Sequence, residues 1–74
     1  MPLVRIDVLE GRTETELAAL GDAVHRALVE AIGIPPPDRF QVIETHRAGR
    51  LVFDPAYFGI ARTDGIVFVQ ITLS

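Results

Sequence analysis

One long amphipathic segment, closed at both ends by residues that stop a helix, sets the strongest limit on how this chain can fold. Thr13 and Glu16 form a capping box, the side-chain arrangement that satisfies free amides at a helix start. The apolar residues that follow recur at spacings of three and four, which makes one apolar stripe: Leu17, Leu20, Val24, Leu28 and Ile32. Gly33 suits the left-handed position after a helix, and the prolines at 35–37 prevent continuation. The pattern predicts one helix over residues 14–32.

Two segments of alternating character flank this helix. Residues 3–9 and 40–46 both show the two-residue period of a β-strand. The apolar positions of the first segment are Val4, Ile6 and Val8. In the second segment, Phe40, Val42 and Glu44 share one side, and Gln41, Ile43 and Thr45 share the other. A strand, a helix and a strand at this spacing predict a βαβ unit with parallel strands and a right-handed crossover.

The remainder of the chain predicts a short hairpin and a final strand. A turn is expected at 48–50, a short strand at 51–53, and a further turn at Asp64-Gly65. The last strand, 66–73, is almost wholly apolar, which predicts that both of its faces are covered. Because it lacks a crossover helix, either the chain is a fragment of a two-repeat (β-α-β)2 protein, which is favoured, or a neighbouring subunit covers this strand. The predicted fold class is α/β, in one domain over residues 1–74.

Composition limits the partners that this chain can have. A domain of 74 residues buries only about 60% of its unfolded surface, so a hydrophobic content of 49% predicts a homo-oligomer that hides the surplus. The net charge of −3, without a basic stripe, argues against nucleic acid, and no apolar run reaches the roughly 20 residues of a membrane helix. Cysteine is absent and no export signal is visible, so the cytoplasm is expected. Two distant histidines without a carboxylate cluster predict no metal site.

Proline as the second residue is the most unusual chemical feature. An initiator methionine is normally removed before so small a residue, which would leave the Pro2 nitrogen as a secondary amine. The pKa of an α-amino group is about 7.7–8.0 in model peptides, and desolvation lowers it because burial disfavours the charged form. Such an amine at the mouth of an apolar pocket would act as a general base. From its position alone, Pro2 is better interpreted as an ordinary N-terminal residue, because chains often begin with Met-Pro.

The order of several short motifs resembles the tautomerase superfamily, typified by 4-oxalocrotonate tautomerase. The similar stretches are PLVRIDVLEGRT at the start, the capped helix, and PPPDRFQVIETH after it. The run at 38–42 and the stretch at 59–64 look closest to the malonate semialdehyde decarboxylase-like branch. The resemblance implies a trimeric or hexameric isomerase that needs no cofactor and acts on a small α-keto or unsaturated carboxylic acid. Decarboxylase or hydratase/lyase activity is one alternative, and a non-catalytic oligomerising module is another.

The resemblance also implies roles for four residues. Pro2 matches the family's catalytic proline, and Asp38 matches an aspartate that activates water or orients the substrate beside that proline. Arg12 matches an arginine that binds a substrate carboxylate across a subunit boundary, and Arg39 could serve the same electrostatic role. Without the family, Asp38 is a turn residue before a strand and Arg12 is a solvated turn residue.

One departure from the decarboxylase-like pattern concerns the carboxylate clamp. Those members carry arginines just past the final strand, whereas this chain has Ser74 at the first such position, which places decarboxylation in doubt. Among other candidates, His25 is expected to flank the apolar stripe and His46 to lie at the surface. Tyr57 and Phe58 are expected to pack in the core or in an interface rather than against a substrate.

Overall fold

A computed structural model describes residues 1–73 and shows a small α/β arrangement. Its elements in chain order are β1 (Leu3–Leu9), α1 (Glu14–Ile32), β2 (Gln41–His46), a 3-10 turn (Tyr57–Gly59) and β3 (Val67–Thr72). The predicted helix is therefore confirmed in full, and the first two strands are confirmed to within one residue. The proposed difference from the decarboxylase-like branch at Ser74 lies outside the described residues.

The three strands form one sheet in the order β2-β1-β3. β1 and β2 are parallel, with Val4 opposite Gln41, so the predicted βαβ unit is present. β3 lies on the other side of β1 and runs antiparallel to it, with Val4 opposite Ile71. β1 is thus the central strand of the sheet, with β2 on one side and β3 on the other.

The core lies between one face of this sheet and α1. Val4, Ile6 and Val8 are buried there with Leu28 and Ile34. Because successive side chains of a strand point to opposite faces, the intervening residues of β1 lie on the other face. Within residues 1–73 no helix or strand packs against that second face, which we call the open face.

The ends of α1 show how the sequence places this helix. The Thr13 hydroxyl accepts a hydrogen bond from the Glu16 amide at 3.1 Å, and the Thr13 amide donates to the Glu16 carboxylate at 2.9 Å. That bond from the Thr13 backbone lowers the pKa of Glu16. Gly33 adopts φ 71°, the left-handed conformation that ends the helix without a steric penalty.

One expectation about the second half of the chain is wrong. The short strand expected at 51–53 is reduced to a single bridge between Ala48 and Leu51. The Arg50 amide donates to the Arg47 carbonyl and closes a tight turn, which lets only that one pair meet. Pro55, which follows soon after, has no N–H to donate to a strand ladder.

The final strand is not covered on both faces within the described residues. Phe68, Val69 and Ile71 each remain more than 40% exposed. A helix about 10 Å wide can shield only about two strands spaced 4.8 Å apart, and α1 packs on β1 and β2. None of the described helices is both long and apolar enough to cross a membrane.

Candidate active site

The structure brings Pro2 and Asp38 together at the amino end of β1. Pro2 is buried, and the Asp38 carboxylate lies 3.9 Å from the amino nitrogen of Met1. Parallel pairing causes this proximity, because the Val4 amide donates to the Phe40 carbonyl at 2.9 Å and so aligns the start of β1 with the segment before β2. With Met1 attached, the Pro2 nitrogen is an amide; removal of Met1 would move the terminus by one residue, at most about 3.8 Å.

The loop that carries Asp38 is built from consecutive prolines and closes on itself. The Asp38 amide donates to the Pro35 carbonyl at 2.9 Å, and the Arg39 amide donates to the Pro37 carbonyl at 3.0 Å. His25, on α1, reaches the same loop, with its Nε2 atom 2.7 Å from the Pro36 carbonyl oxygen. His25 therefore contacts the candidate site indirectly, through the loop that carries Asp38.

Arg39 is held on α1 rather than beside Pro2. Its guanidinium donates to the Asp22 carboxylate at 2.8 Å and to the Gln41 side chain at 3.1 Å. Gln41 in turn donates to the Gly21 carbonyl at 2.9 Å. A Cβ at Gly21 would lie 2.8 Å from the Gln41 side-chain oxygen, so a larger residue there would displace the Gln41 side chain. To bind a substrate, the Arg39 guanidinium would first have to leave the Asp22 carboxylate.

Arg12 lies at the opposite end of β1 from Pro2. Its guanidinium donates to the Gly65 carbonyl at 2.8 Å and lines an open cleft of about 460 Å³. The rest of the lining combines acidic and apolar groups: Glu10, Gly11, Glu14, Leu17, Ala18, Ile43 and Thr45. Seven strand residues at about 3.3 Å each separate the two ends by roughly 20 Å. Within one chain, therefore, Arg12 and Pro2 do not share a site.

A charged cluster that sequence reasoning missed lies on the open face. The Arg5 guanidinium donates to both oxygens of the Asp7 carboxylate, at 2.9 and 3.0 Å, and lies 3.4 Å from Glu44. His46 Nε2 lies 2.6 Å from Asp7. The hydrogen bond from Arg5 lowers the pKa of Asp7 most, and the hydrogen bond from His46 lowers it further. The hydrogen bond between Arg5 and Asp7 also raises the pKa of Arg5.

The expectation that neither histidine has carboxylate neighbours is therefore wrong for His46. Parallel register sets Asp7 opposite Glu44 and Leu9 opposite His46, which joins groups far apart in sequence. The metal-binding atoms of Asp7, Glu44 and His46 all lie within 4.8 Å of one another. Since Arg5 already contacts both carboxylates, the cluster carries its own cation, and a metal ion would have to displace that guanidinium.

Tyr57 and Phe58 do not pack in the core. Their rings lie 4.5 Å apart, and both side chains are exposed in the 3-10 turn. Phe58 adopts φ 61°, a left-handed conformation that is unusual for a bulky residue. The Arg62 guanidinium supports the turn by donating to the Tyr57 and Ile60 carbonyls at 2.8 and 3.2 Å. The alternative that these rings pack in an interface stays a prediction.

Comparison with known proteins establishes the family. A model of the tautomerase enzyme family matches residues 2–61. The probable tautomerase YusQ of Bacillus subtilis (strain 168) is 36% identical over 73 residues, which cover 99% of this chain and 58% of YusQ. The chain belongs to the tautomerase family, which confirms the resemblance drawn from its motifs.

Two solved structures of malonate semialdehyde decarboxylase share the fold. One, studied as wild type, mutant and inactivated enzyme for its decarboxylase and hydratase activities, is 36% identical with a TM-score of 0.84, over 90% of this chain and 52% of that one. The other, inhibited by 3-bromopropiolate, is 37% identical with a TM-score of 0.83, over 90% and 51%. The likeness to the decarboxylase-like branch is confirmed. The chain spans about half the length of these relatives.

Proposed function

We propose that this chain forms the proline end of a tautomerase that needs no cofactor and acts on a small α-keto or unsaturated carboxylic acid. The observation that carries the proposal is the burial of Pro2 beside the Asp38 carboxylate, which lies 3.9 Å from the terminal nitrogen. Family membership supports it, since the matched model begins at residue 2. The chemistry follows from these groups.

With Met1 removed, the Pro2 nitrogen would be a secondary amine with a lone pair held in a fixed direction by its ring. In the proposed reaction this nitrogen accepts the proton of the enol oxygen, and the electron pair of the O–H bond forms the carbonyl. As the carbonyl forms, the π electron pair of the carbon–carbon double bond moves to the far carbon of that bond, which takes the same proton back from the nitrogen. No atom or electron is gained or lost, so no redox partner is needed.

The substrate carboxylate requires a cation, and Arg12 is the proposed one. Because roughly 20 Å separates the two ends of β1, Arg12 of one chain would serve Pro2 of another. A homotrimer or hexamer would then be needed for a complete site, and the exposed apolar side chains of β3 supply surface for its assembly. Arg39 is the secondary candidate, after release from Asp22.

The alternative reaction is addition of water or loss of carbon dioxide, as in the malonate semialdehyde decarboxylase that shares the fold. The position of Asp38 favours it, because a carboxylate beside the amine can activate a water molecule that simple enolisation does not use. In both reactions Pro2 carries the proton, and only the second depends on Asp38.

A pair of rate measurements separates these reactions. Chain freed of Met1, verified by intact mass, would be assayed by ultraviolet absorbance with a panel of enols, keto acids and unsaturated acids. D38N is expected to slow water addition or decarboxylation at least tenfold and to leave enolisation within about threefold. Equal loss of both rates would show that Asp38 serves a structural role.

The rival proposal from another class is a non-catalytic module that keeps the fold for oligomerisation or ligand binding. A protein that retains Met1 in its native host, and that turns over none of these acids after Met1 is removed, would support the module. Turnover that appears only in the Met1-free chain would support the enzyme.

A further inference from the structure

The loop in front of Asp38 has an unusual hydrogen-bonding problem. Pro35, Pro36 and Pro37 provide three carbonyl acceptors and no N–H donors. The Asp38 and Arg39 amides satisfy the first and third carbonyls from within the loop. The second, that of Pro36, accepts from the His25 ring, 2.7 Å away on α1. Among the described residues, therefore, His25 donates to this proline run from outside the loop.

The hydrogen-bonding role of His25 follows from its partner. A carbonyl oxygen only accepts, so the His25 Nε2 atom must carry the hydrogen and donate it. The bond therefore requires a specific arrangement of the ring, with Nε2 protonated, and it holds whether or not Nδ1 is also protonated. A side chain of similar length with an N–H at the same place would make the same contact.

Two more contacts from α1 hold the segment after Asp38. The Asp22 carboxylate accepts from Arg39 at 2.8 Å, and the Gly21 carbonyl accepts from Gln41 at 2.9 Å. Together with His25, these contacts hold the chain on both sides of Asp38, two residues before it and one and three residues after it. The Asp38 side chain, by contrast, lies against the Met1 nitrogen. The helix thus fixes the backbone from which this carboxylate projects.

We propose that His25 is a positioning residue for Asp38 and acts through the Pro36 carbonyl. The proposal rests on the proposed function, in which Asp38 works beside Pro2. Without the His25 donor, the Pro36 peptide would turn toward water, and the Asp38 carboxylate would lose its fixed distance from the terminal nitrogen. A displacement of about 1 Å in a reacting group can cost up to a hundredfold in rate.

The first test compares three substitutions in the intact Met1-free chain. H25M removes the donor at similar volume and is expected to lower kcat for the Asp38-dependent reaction about tenfold, with KM and enolisation little changed. H25Q places an amide N–H near the Nε2 position and is expected to restore the rate to within about threefold of the parent. R26M, at the neighbouring exposed position of α1, is the matched control and should leave the rates unchanged.

A double-mutant cycle tests whether His25 acts through Asp38. If it does, H25M has no further effect once Asp38 is Asn, so the double variant has the same rate as D38N. Losses that multiply in the double variant would overturn the proposal, since they would show that His25 contributes independently of Asp38.

A measurement without turnover separates failure of this proposal from failure of the proposed function. Amide hydrogen exchange at Asp38 and Arg39, followed by NMR, should be several-fold faster in H25M and unchanged in H25Q. The Gly33 amide, bonded to Val29 at 3.1 Å, serves as the internal reference. Faster exchange in H25M, when the parent turns over no substrate, would support the positioning role and reject the proposed enzymatic function. Unchanged exchange in H25M would reject the positioning role, even when the parent is active.

Discussion

The two ends of β1 differ in almost every property that matters for function. At the amino end, Pro2 is buried, the Asp38 carboxylate lies 3.9 Å from the Met1 nitrogen, and His25 of α1 contacts the proline loop that precedes Asp38. At the carboxyl end, Arg12 lines an open cleft and donates to Gly65. In the proposed function the first end would supply a proton carrier and the second, roughly 20 Å away, a cation. Because one rigid strand keeps its two ends apart, the proposed site would need Pro2 and Arg12 from different chains.

The largest expected effect is at the amino end. P2A should lower turnover by about 10²–10⁴, because the ring that aims the terminal amine is lost together with its secondary-amine chemistry. Circular dichroism and thermal unfolding should show that the fold persists, since β1 remains paired on both sides. Turnover in P2A equal to that of the parent would defeat the assignment of a catalytic proline.

Arg12 at the carboxyl end is expected to have the next largest effect. R12A should raise KM for a carboxylate substrate by about 10- to 100-fold, the loss expected for one charge-assisted hydrogen bond pair. Steady-state kinetics with acid and amide forms of the same substrate would show whether the loss follows the carboxylate.

Mixing variants then tests whether the two ends meet between chains. P2A and R12A, unfolded and refolded together, should recover a fraction of parental activity, because some mixed sites would combine native Pro2 with native Arg12. The same variants refolded separately are the controls. Absence of any recovery would mean that Arg12 of one chain does not serve Pro2 of another.

A smaller effect concerns stability at the carboxyl end alone. T13A removes the hydroxyl that accepts from the Glu16 amide, so urea denaturation should show a loss of about 1 kcal/mol in the free energy of unfolding. T15A, inside the first turn of α1, is the matched control and should be neutral or slightly stabilising. A loss of the same size in T15A would show that capping is not the cause.

The smallest effect is expected in the middle of β1, between the two ends. Bonds from Arg5 and His46 hold the pKa of Asp7 below its ordinary value of 3.8. Asp7 therefore contributes stability above pH 3.8 that is lost as the pH falls through its lower folded-state value. Unfolding measured between pH 5 and about 2 should show a flatter pH dependence in D7N than in the parent, whereas D64N should match the parent. An unchanged slope in D7N would indicate that the cluster is solvent-screened.

Prediction and structure agree best where residues close together in the sequence determine the conformation. Thr13, Glu16 and Gly33 act within one helical turn of their own positions, so the bounds of α1 were predictable from local chemistry. The parallel pairing of β1 and β2 followed from the length of the crossover, and it predicted that Asp38 would lie near Pro2. The family followed from the order of motifs along the chain.

Tertiary structure alone decided the contacts that depend on strand register and side-chain direction. A shift of one residue between β1 and β2 would have separated Asp7 from Glu44 and His46, because each step moves a side chain to the other face. Arg39 pairs with Asp22 because that carboxylate lies one residue along α1 from Gly21, whose carbonyl accepts from the Gln41 side chain. Local sequence thus determined the helix, the parallel strands and the proline beside an acid, whereas packing determined which charges meet, since distances between elements are set only when the core closes.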